Sequence, residues 1–344
     1  MNILILKEGS MKNLNTKYIV LLISLITLSC EDVFFDNDPV NSSVNNFEIL
    51  WNRMDERYSF FEYKGVDWDS IYTIYRPQVN DQMSPEELFD VMEKMLNTLR
   101  DGHVNLRTDF DISYYNYHDD APRNFRFQDV ENNYLKESLR VTGFTWNGII
   151  DSVGYIHYRS FQRPIEEEEL DFVVKRFKGL KGLIIDIRDN EGGDPAYGFR
   201  LARRIAKERT YIYSTKYKNG PGRDDFTSPS DAFLDINDKI KFDLPVVLLT
   251  NRVTYSAGNF FTALMMALPD VTVVGDTTGG GGGVPLGWEL PNGWHFNFSN
   301  SITYMPNGFI IENGIPPDIP LNINDEDRLE GRDTILEKAI DLLR

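Results

Sequence analysis

The apolar residues of this chain change their period several times, and each change marks an element. Phe47, Leu50, Trp51, Met54, Tyr58 and Phe61 recur at helical spacing, with an aromatic face that reads as core. Ser84-Pro85-Glu86-Glu87 is a capping box with proline at the first helical position. Leu88, Val91, Met92, Met95, Leu96 and Leu99 follow as one apolar face. A small helical subdomain is therefore predicted over 47–106. Residues 107–150 are aromatic and charged without a clean period, and short strands are expected there. The period becomes two over 153–161, the mark of a strand. A helix is predicted from Pro164, burying Leu170, Val173, Val174 and Phe177. Residues 182–188 form a strand apolar enough to be covered on both faces, and a helix is predicted from Pro195 to about Glu208. Residues 244–250 read as another buried strand, 260–268 as a helix unbroken by glycine or proline, and 271–275 as a further strand. Hairpin-like strands are expected around 294–298 and 302–304, and a closing helix from about Asp333. This alternation predicts an α/β core with a largely parallel sheet. Residues 214–243, polar and carrying Asn219-Gly220-Pro221-Gly222, read as a long surface insert.

The candidate chemistry lies at the junctions. Val253-Thr254-Tyr255-Ser256-Ala257-Gly258-Asn259 joins a strand to a helix, so Ser256 sits on the turn with free backbone N–H groups beside it. Such a serine either caps the helix or acts as a nucleophile with a ready oxyanion site. Gly102 ends the helical subdomain and His103 opens an extended piece, as a polar loop residue or as a base. Gly192 and Gly193, at the end of a strand, let backbone approach a ligand closely. The run from Gly279 to Gly283 is followed by Val284-Pro285, where a phosphate loop needs Lys-Ser/Thr, so no nucleotide is expected. No His, Cys or carboxylate cluster has metal-ligand spacing, and neither metal nor cofactor is expected.

Charge and cysteine usage add a compartment. The formal net charge of −17 argues against a nucleic-acid partner. The one cysteine, Cys30, excludes an intrachain disulfide. Lys12 and Lys17 precede an apolar run over 18–28, too short for a comfortable membrane span, and Ser29-Cys30 follow. The arrangement resembles a bacterial lipobox, whose cysteine is lipidated; an ordinary secretory signal or an uncleaved anchor are the alternatives. The expected organisation is a signal peptide with lipobox over 1–30, an acidic tether over 31–46, the helical subdomain over 47–106 and a core over 107–344. The location expected is the bacterial cell envelope, with a lipid anchor in the membrane.

Five motifs in order resemble those of the tail-specific, or C-terminal processing, serine proteases, relatives of the tricorn protease core and of the retinoid-binding repeats of the eye. They are Asp101-Gly102-His103, Asp186-Ile187-Arg188-Asp189-Asn190-Glu191-Gly192-Gly193, Tyr255-Ser256-Ala257-Gly258, Val274-Gly275-Asp276-Thr277-Thr278-Gly279 and Gly314-Ile315-Pro316-Pro317-Asp318. The resemblance runs from about Phe47 to the C-terminus. It implies a crotonase- or Clp-protease-like β-α spiral core with an N-terminal helical subdomain, and a polypeptide substrate. One catalytic style of that family uses a lysine that would fall in the run of glycines here. The other, tricorn-like, uses a histidine and a late glutamate, which here are His103 and Glu312. Gly102 stands where tricorn-like enzymes place a serine. The resemblance thus implies Ser256 as nucleophile, His103 as base and Glu312 as its orienting acid, with Asp318 and Asp101 as rivals for that third role. Gly192 or Gly193 and Ala257 would supply the oxyanion N–H groups. Between Leu106 and Val153 there is too little chain for the PDZ domain that often accompanies this family. A catalytically silent binding lipoprotein on the same fold is the rival reading, and an esterase is a third.

Overall fold

The computed structural model describes residues 39–118 and 120–344. The expected signal, Cys30 and the first part of the tether lie outside the described residues. The end of the expected tether is already helical. The first helix runs Ser43–Arg57 because the Ser42 hydroxyl accepts the Asn45 N–H at 3.3 Å and caps it. Helices Phe61–Lys64, Trp68–Tyr75 and Pro85–Asn97 follow, the last opened by the expected box of Ser84 and Glu87. Their apolar faces do not close on themselves. Phe47, Leu50, Met92 and Leu96 share one buried cluster with Leu290, Trp294, Phe296 and Phe298 from late in the chain. The boundary at 106 therefore separates stretches of chain, not cores.

Thirteen strands among the described residues form three sheets. In chain order they are β1 (Asn105–Arg107), β2 (Arg140–Thr142), β3 (Thr145–Ile150), β4 (Val153–His157), β5 (Gly182–Asp186), β6 (Thr210–Tyr217) and β7 (Ser230–Leu234). They continue with β8 (Val246–Thr250), β9 (Val271–Gly275), β10 (Pro285–Glu289), β11 (His295–Ser299), β12 (Ser301–Tyr304) and β13 (Ile319–Pro320). The central sheet has the order β13-β9-β8-β5-β4-β3-β2. Its first five strands are parallel, and β3 and β2 extend it antiparallel. Alternate residues of one strand enter different cores. Leu183 and Ile185 of β5 meet the helices Glu167–Arg176, Pro195–Ala202 and Ala257–Met266, while Ile184 meets the closing helix Thr334–Leu343. Cover on both faces is why this segment reads as an unbroken apolar run.

Several boundaries differ from expectation. The helix expected at Pro164 begins at Glu167, where Glu166 and Glu169 form a capping box. The helix from Pro195 ends at Ala202, short of 208. The stretch expected as a polar surface insert over 214–243 lies mostly at the surface, but the end of β6 and all of β7 fall within it. β6 pairs with β7 and β12 in a three-stranded antiparallel sheet that buries Ser214, Thr215 and Leu234. Polar residues can occupy buried strand positions when partners are present, as with Thr215 and Thr303, whose hydroxyls lie 2.9 Å apart. The strands expected as a hairpin, β11 and β12, belong to different sheets. β11 lies between β1 and β10, and β12 pairs with β6.

Candidate active site

Ser256 stands where β8 gives way to the helix Ala257–Met266. Its backbone is at φ 52° and ψ −119°, a conformation that L-residues avoid. Pairing on both flanks holds it there. Tyr255 N–H donates to the Asn190 carbonyl at 3.0 Å, and Ser256 N–H donates to the Gly280 carbonyl at 2.9 Å. The Ser256 hydroxyl makes no capping bond; its Oγ lies 2.9 Å from His103 Nε2. Of the roles open to this serine, capping is not the one the fold uses. Arg100 and Asp189, on loops that meet here, also have positive φ, so backbone strain gathers around the site.

His103 reaches Ser256 because the chain turns sharply after the helix Pro85–Asn97. Asp101 stabilises the turn: Oδ1 accepts the His103 backbone N–H at 2.8 Å, and Oδ2 accepts the hydroxyls of Tyr58 at 3.0 Å and Ser299 at 2.9 Å. The imidazole packs edge-on against the Tyr255 ring. Burial lowers the His103 pKa from its usual value; Asp101 opposes this and Lys64 adds to it. The neutral ring that results is the form able to take a proton. Its Nδ1 is buried with no hydrogen bond among the described residues, although the Gly283 backbone favours a protonated ring.

Glu312 does not hold the imidazole, contrary to the expectation for a third member. Its Oε1 pairs with Lys64 Nζ at 2.7 Å, and its Oε2 accepts the Gly282 N–H at 2.9 Å. A buried carboxylate takes the strongest donors within reach, and here those are an ammonium and an amide. Burial raises the Glu312 pKa above the usual carboxylate range, with Asp101 adding to the rise and Lys64 and the Gly282 amide opposing it. A donor on each oxygen suits the ionised form, so the geometry describes an ion pair. Of the rivals, Asp318 serves the sheet, accepting the Val273 N–H at 2.8 Å. Asp101 is beside His103 but binds its backbone rather than its ring.

The expected oxyanion donors separate. Gly192 N–H is engaged by Asn190 Oδ1 at 2.9 Å and is not available. Gly192 matters instead for close approach. At its φ of 102°, a Cβ would lie 2.8 Å from Ala257 N and 2.9 Å from Ser256 Cβ. Only glycine lets this loop touch the serine turn. Phe161 N–H donates to the Gly192 carbonyl at 2.9 Å, and Asp194 N–H donates to the Phe161 carbonyl at 2.8 Å. In that parallel bridge the N–H of Gly193 points away from Phe161. Ala257 N–H is the first of its helix and has no partner in the preceding turn.

Lys64, Asn190 and Asn259 were not singled out from sequence. Asn259 Nδ2 donates to the Ile311 carbonyl at 2.8 Å and its Oδ1 accepts the Thr278 hydroxyl at 2.7 Å, tying the helix to two loops. Its signal is a polar amide in the first turn of a mostly apolar helix. Lys64 had no such signal. A cleft of about 300 Å³, lined by Lys64, Arg100, Tyr117, Arg252, Tyr255 and Glu312, reaches Gly102 and Tyr255, the chain neighbours of His103 and Ser256. No group of three or more His, Cys, Asp or Glu among the described residues is placed to share a metal ion. His157 is buried near Phe125, Phe127 and Trp146, whereas His295 is exposed on β11.

A serine on a strained strand-to-helix turn, within hydrogen-bond reach of a histidine, is the arrangement of serine hydrolases. The comparisons with known proteins narrow this. Residues 152–321 match the model of peptidase family S41, and residues 39–97 match the tricorn protease C1 domain. A structure from Parabacteroides merdae, solved as a candidate peptidase, is 44% identical with a TM-score of 0.84, covering 88% of this chain and 97% of that one. The chain belongs to peptidase family S41, a family of serine-type peptidases. The carboxy-terminal processing protease CtpA of Bacillus subtilis is 26% identical over 181 residues, which are 52% of this chain and 37% of that protein. The chain thus spans little more than a third of the length of that curated relative. Mature CPAF complexed with lactacystin has a TM-score of 0.68 at 12% identity, covering 88% of this chain and 98% of that one; this likeness speaks for the fold alone.

Proposed function

We propose that this protein is a serine endopeptidase that cleaves extracytoplasmic polypeptides, with Ser256 as nucleophile and His103 as its base. The observation that carries the reading is the 2.9 Å contact between Ser256 Oγ and His103 Nε2, made by a serine hydroxyl that its helix leaves unused. In this mechanism Ser256 attacks the scissile carbonyl while His103 takes its proton, then returns that proton to the leaving amine. The N–H groups of Ala257 and Gly193 stabilise the oxyanion, and water then hydrolyses the acyl-enzyme by the same steps in reverse order. Glu312 completes a Ser256–His103–Glu312 site at one remove, because its carboxylate acts through other groups rather than on the ring. The extracytoplasmic location follows from the signal-like N-terminus and from Cys30 as a lipidated anchor.

The test is labelling of the full chain in detergent by a fluorophosphonate probe, beside Ser256→Ala and His103→Ala. Labelling should vanish in Ser256→Ala and slow by about 10²-fold or more in His103→Ala. A folded parent that never labels would sink the reading and favour a binding protein on this fold.

A further inference from the structure

Lys64, from the N-terminal helices, reaches the buried surroundings of His103 and Ser256. It ends the short helix Phe61–Lys64, where Gly65, at φ 64°, turns the chain away. Its ammonium lies 2.7 Å from Glu312 Oε1 and donates to the Arg100 carbonyl at 2.9 Å. The two side chains of this ion pair are only 4% and 2% exposed. Lys64 is not a second base, since Ser256 Oγ is already at His103 and both Lys64 contacts are to other acceptors.

From Lys64 a continuous path leads to the nucleophile. Glu312 Oε2 accepts the Gly282 N–H at 2.9 Å, and the Glu312 carbonyl accepts the Gly281 N–H at 3.0 Å. The next glycine, Gly280, accepts the Ser256 N–H through its carbonyl at 2.9 Å and bridges to Tyr255. The run 279–283 has no side chains with which to hold its own shape. It is pressed so closely on the Glu312 turn that a Cβ at Gly280 would fall 1.9 Å from the Glu312 carbonyl oxygen. Its conformation, and with it the strained backbone of Ser256, must be held from outside.

We propose that Lys64 is a positioning residue, whose ammonium fixes the Glu312 carboxylate that anchors the glycine run beneath Ser256. The N-terminal helical region is then a working part of the active site and not only a cover. The inference rests on the reading of Ser256 as nucleophile. The charge balance around Glu312 supports it: Asp101 opposes its ionisation, and Lys64 is the cation that favours it. Tyr58, Tyr63, Tyr255 and Arg100 are the other titratable groups close by. Without Lys64, the buried Glu312 carboxylate either turns toward water or takes up a proton, and either change weakens its hold on Gly282.

Hydrogen exchange and probe labelling of the full chain, run side by side, test the inference in parent, Lys64→Met, and Lys64→Met combined with Glu312→Gln. In Lys64→Met the Gly281 and Gly282 amides should exchange about tenfold faster or more while β5 keeps its protection. Labelling of Ser256 should slow by about tenfold or more in the same protein. The double variant removes the unpaired charge but keeps an amide oxygen for Gly282, so it should regain much of the protection and label faster than Lys64→Met. Unchanged exchange at Gly281 and Gly282 would overturn the inference, as would loss of protection spread equally through β5. A parent that exchanges as expected but never labels would instead overturn the reading of Ser256.

Discussion

His103 combines a hydrogen bond to the serine with a ring withdrawn from water, and the two act on its proton in opposite ways. Withdrawal favours the neutral ring, while Asp101 favours the imidazolium that forms when Ser256 attacks. Because burial is the larger effect, the pH profile of Ser256 labelling should rise through a midpoint below 6.5 and stay high above it. The sign follows from the base form. Protonated His103 cannot accept the serine proton, and a lowered pKa extends the competent form toward acid. Rates of probe labelling from about pH 4.5 to 8 check this, and a midpoint above 6.5 would contradict it. Ser256 shows the other side of the same design. Its positive φ is unfavourable locally and persists because Asn190, Gly280 and the absent side chain of Gly192 leave it no alternative.

Between elements, a buried polar joint lies behind the site. Arg188, just past the end of β5, is fully buried between Asp186, at 2.6 Å, and Asp333, at 2.8 Å. Asp333 also caps the closing helix through the N–H groups of Ile335 and Leu336. One guanidinium thus joins the strand that carries the Gly192 loop to the helix that covers the other face of the sheet. Arg188→Met should lower unfolding stability by about 3–5 kcal/mol, because it leaves two buried carboxylates without their cation. Urea unfolding of parent and variant at neutral pH measures it, and a loss below about 1 kcal/mol would show that the joint is dispensable. The helices at the N-terminus are joined by the Lys64–Glu312 pair and also by apolar contacts of Phe47, Leu50 and Met92 with Trp294 and Phe298. The apolar part of that joint is non-directional and tolerates changes of shape better than the Arg188 pair does.

Taken whole, the molecule is an acidic α/β body whose sequence carries, near its start, a stretch that resembles a lipobox. No helix among the described residues is long and apolar enough to cross a membrane. Under the proposed function the attachment is through Cys30. Cys30→Ala should shift the full chain from the membrane pellet to the soluble or secreted fraction and abolish incorporation of a lipid label; an unchanged pellet would refute the anchor. The chain's own pattern was enough to show the α/β class, the apolar strands 182–188 and 244–250, the capping box at Ser84, and Ser256 and His103 as candidates. Those features are local: a period, a cap, a turn or a motif is written in adjacent residues. The partners are not written locally. Ser256 and His103, 153 residues apart, are paired beforehand only by the family resemblance, and Lys64 and Glu312, from opposite ends of the described chain, by nothing in the sequence. Glu312 was expected against His103 from its place before Gly314-Ile315-Pro316-Pro317-Asp318, yet which donor a buried carboxylate receives depends on what packing brings within 3 Å of it. The strand segments inside the polar stretch 214–243 are hidden for the same reason. Whether a threonine faces water or another hydroxyl, as Thr215 faces Thr303, is settled by long-range packing, which leaves no periodic trace in sequence.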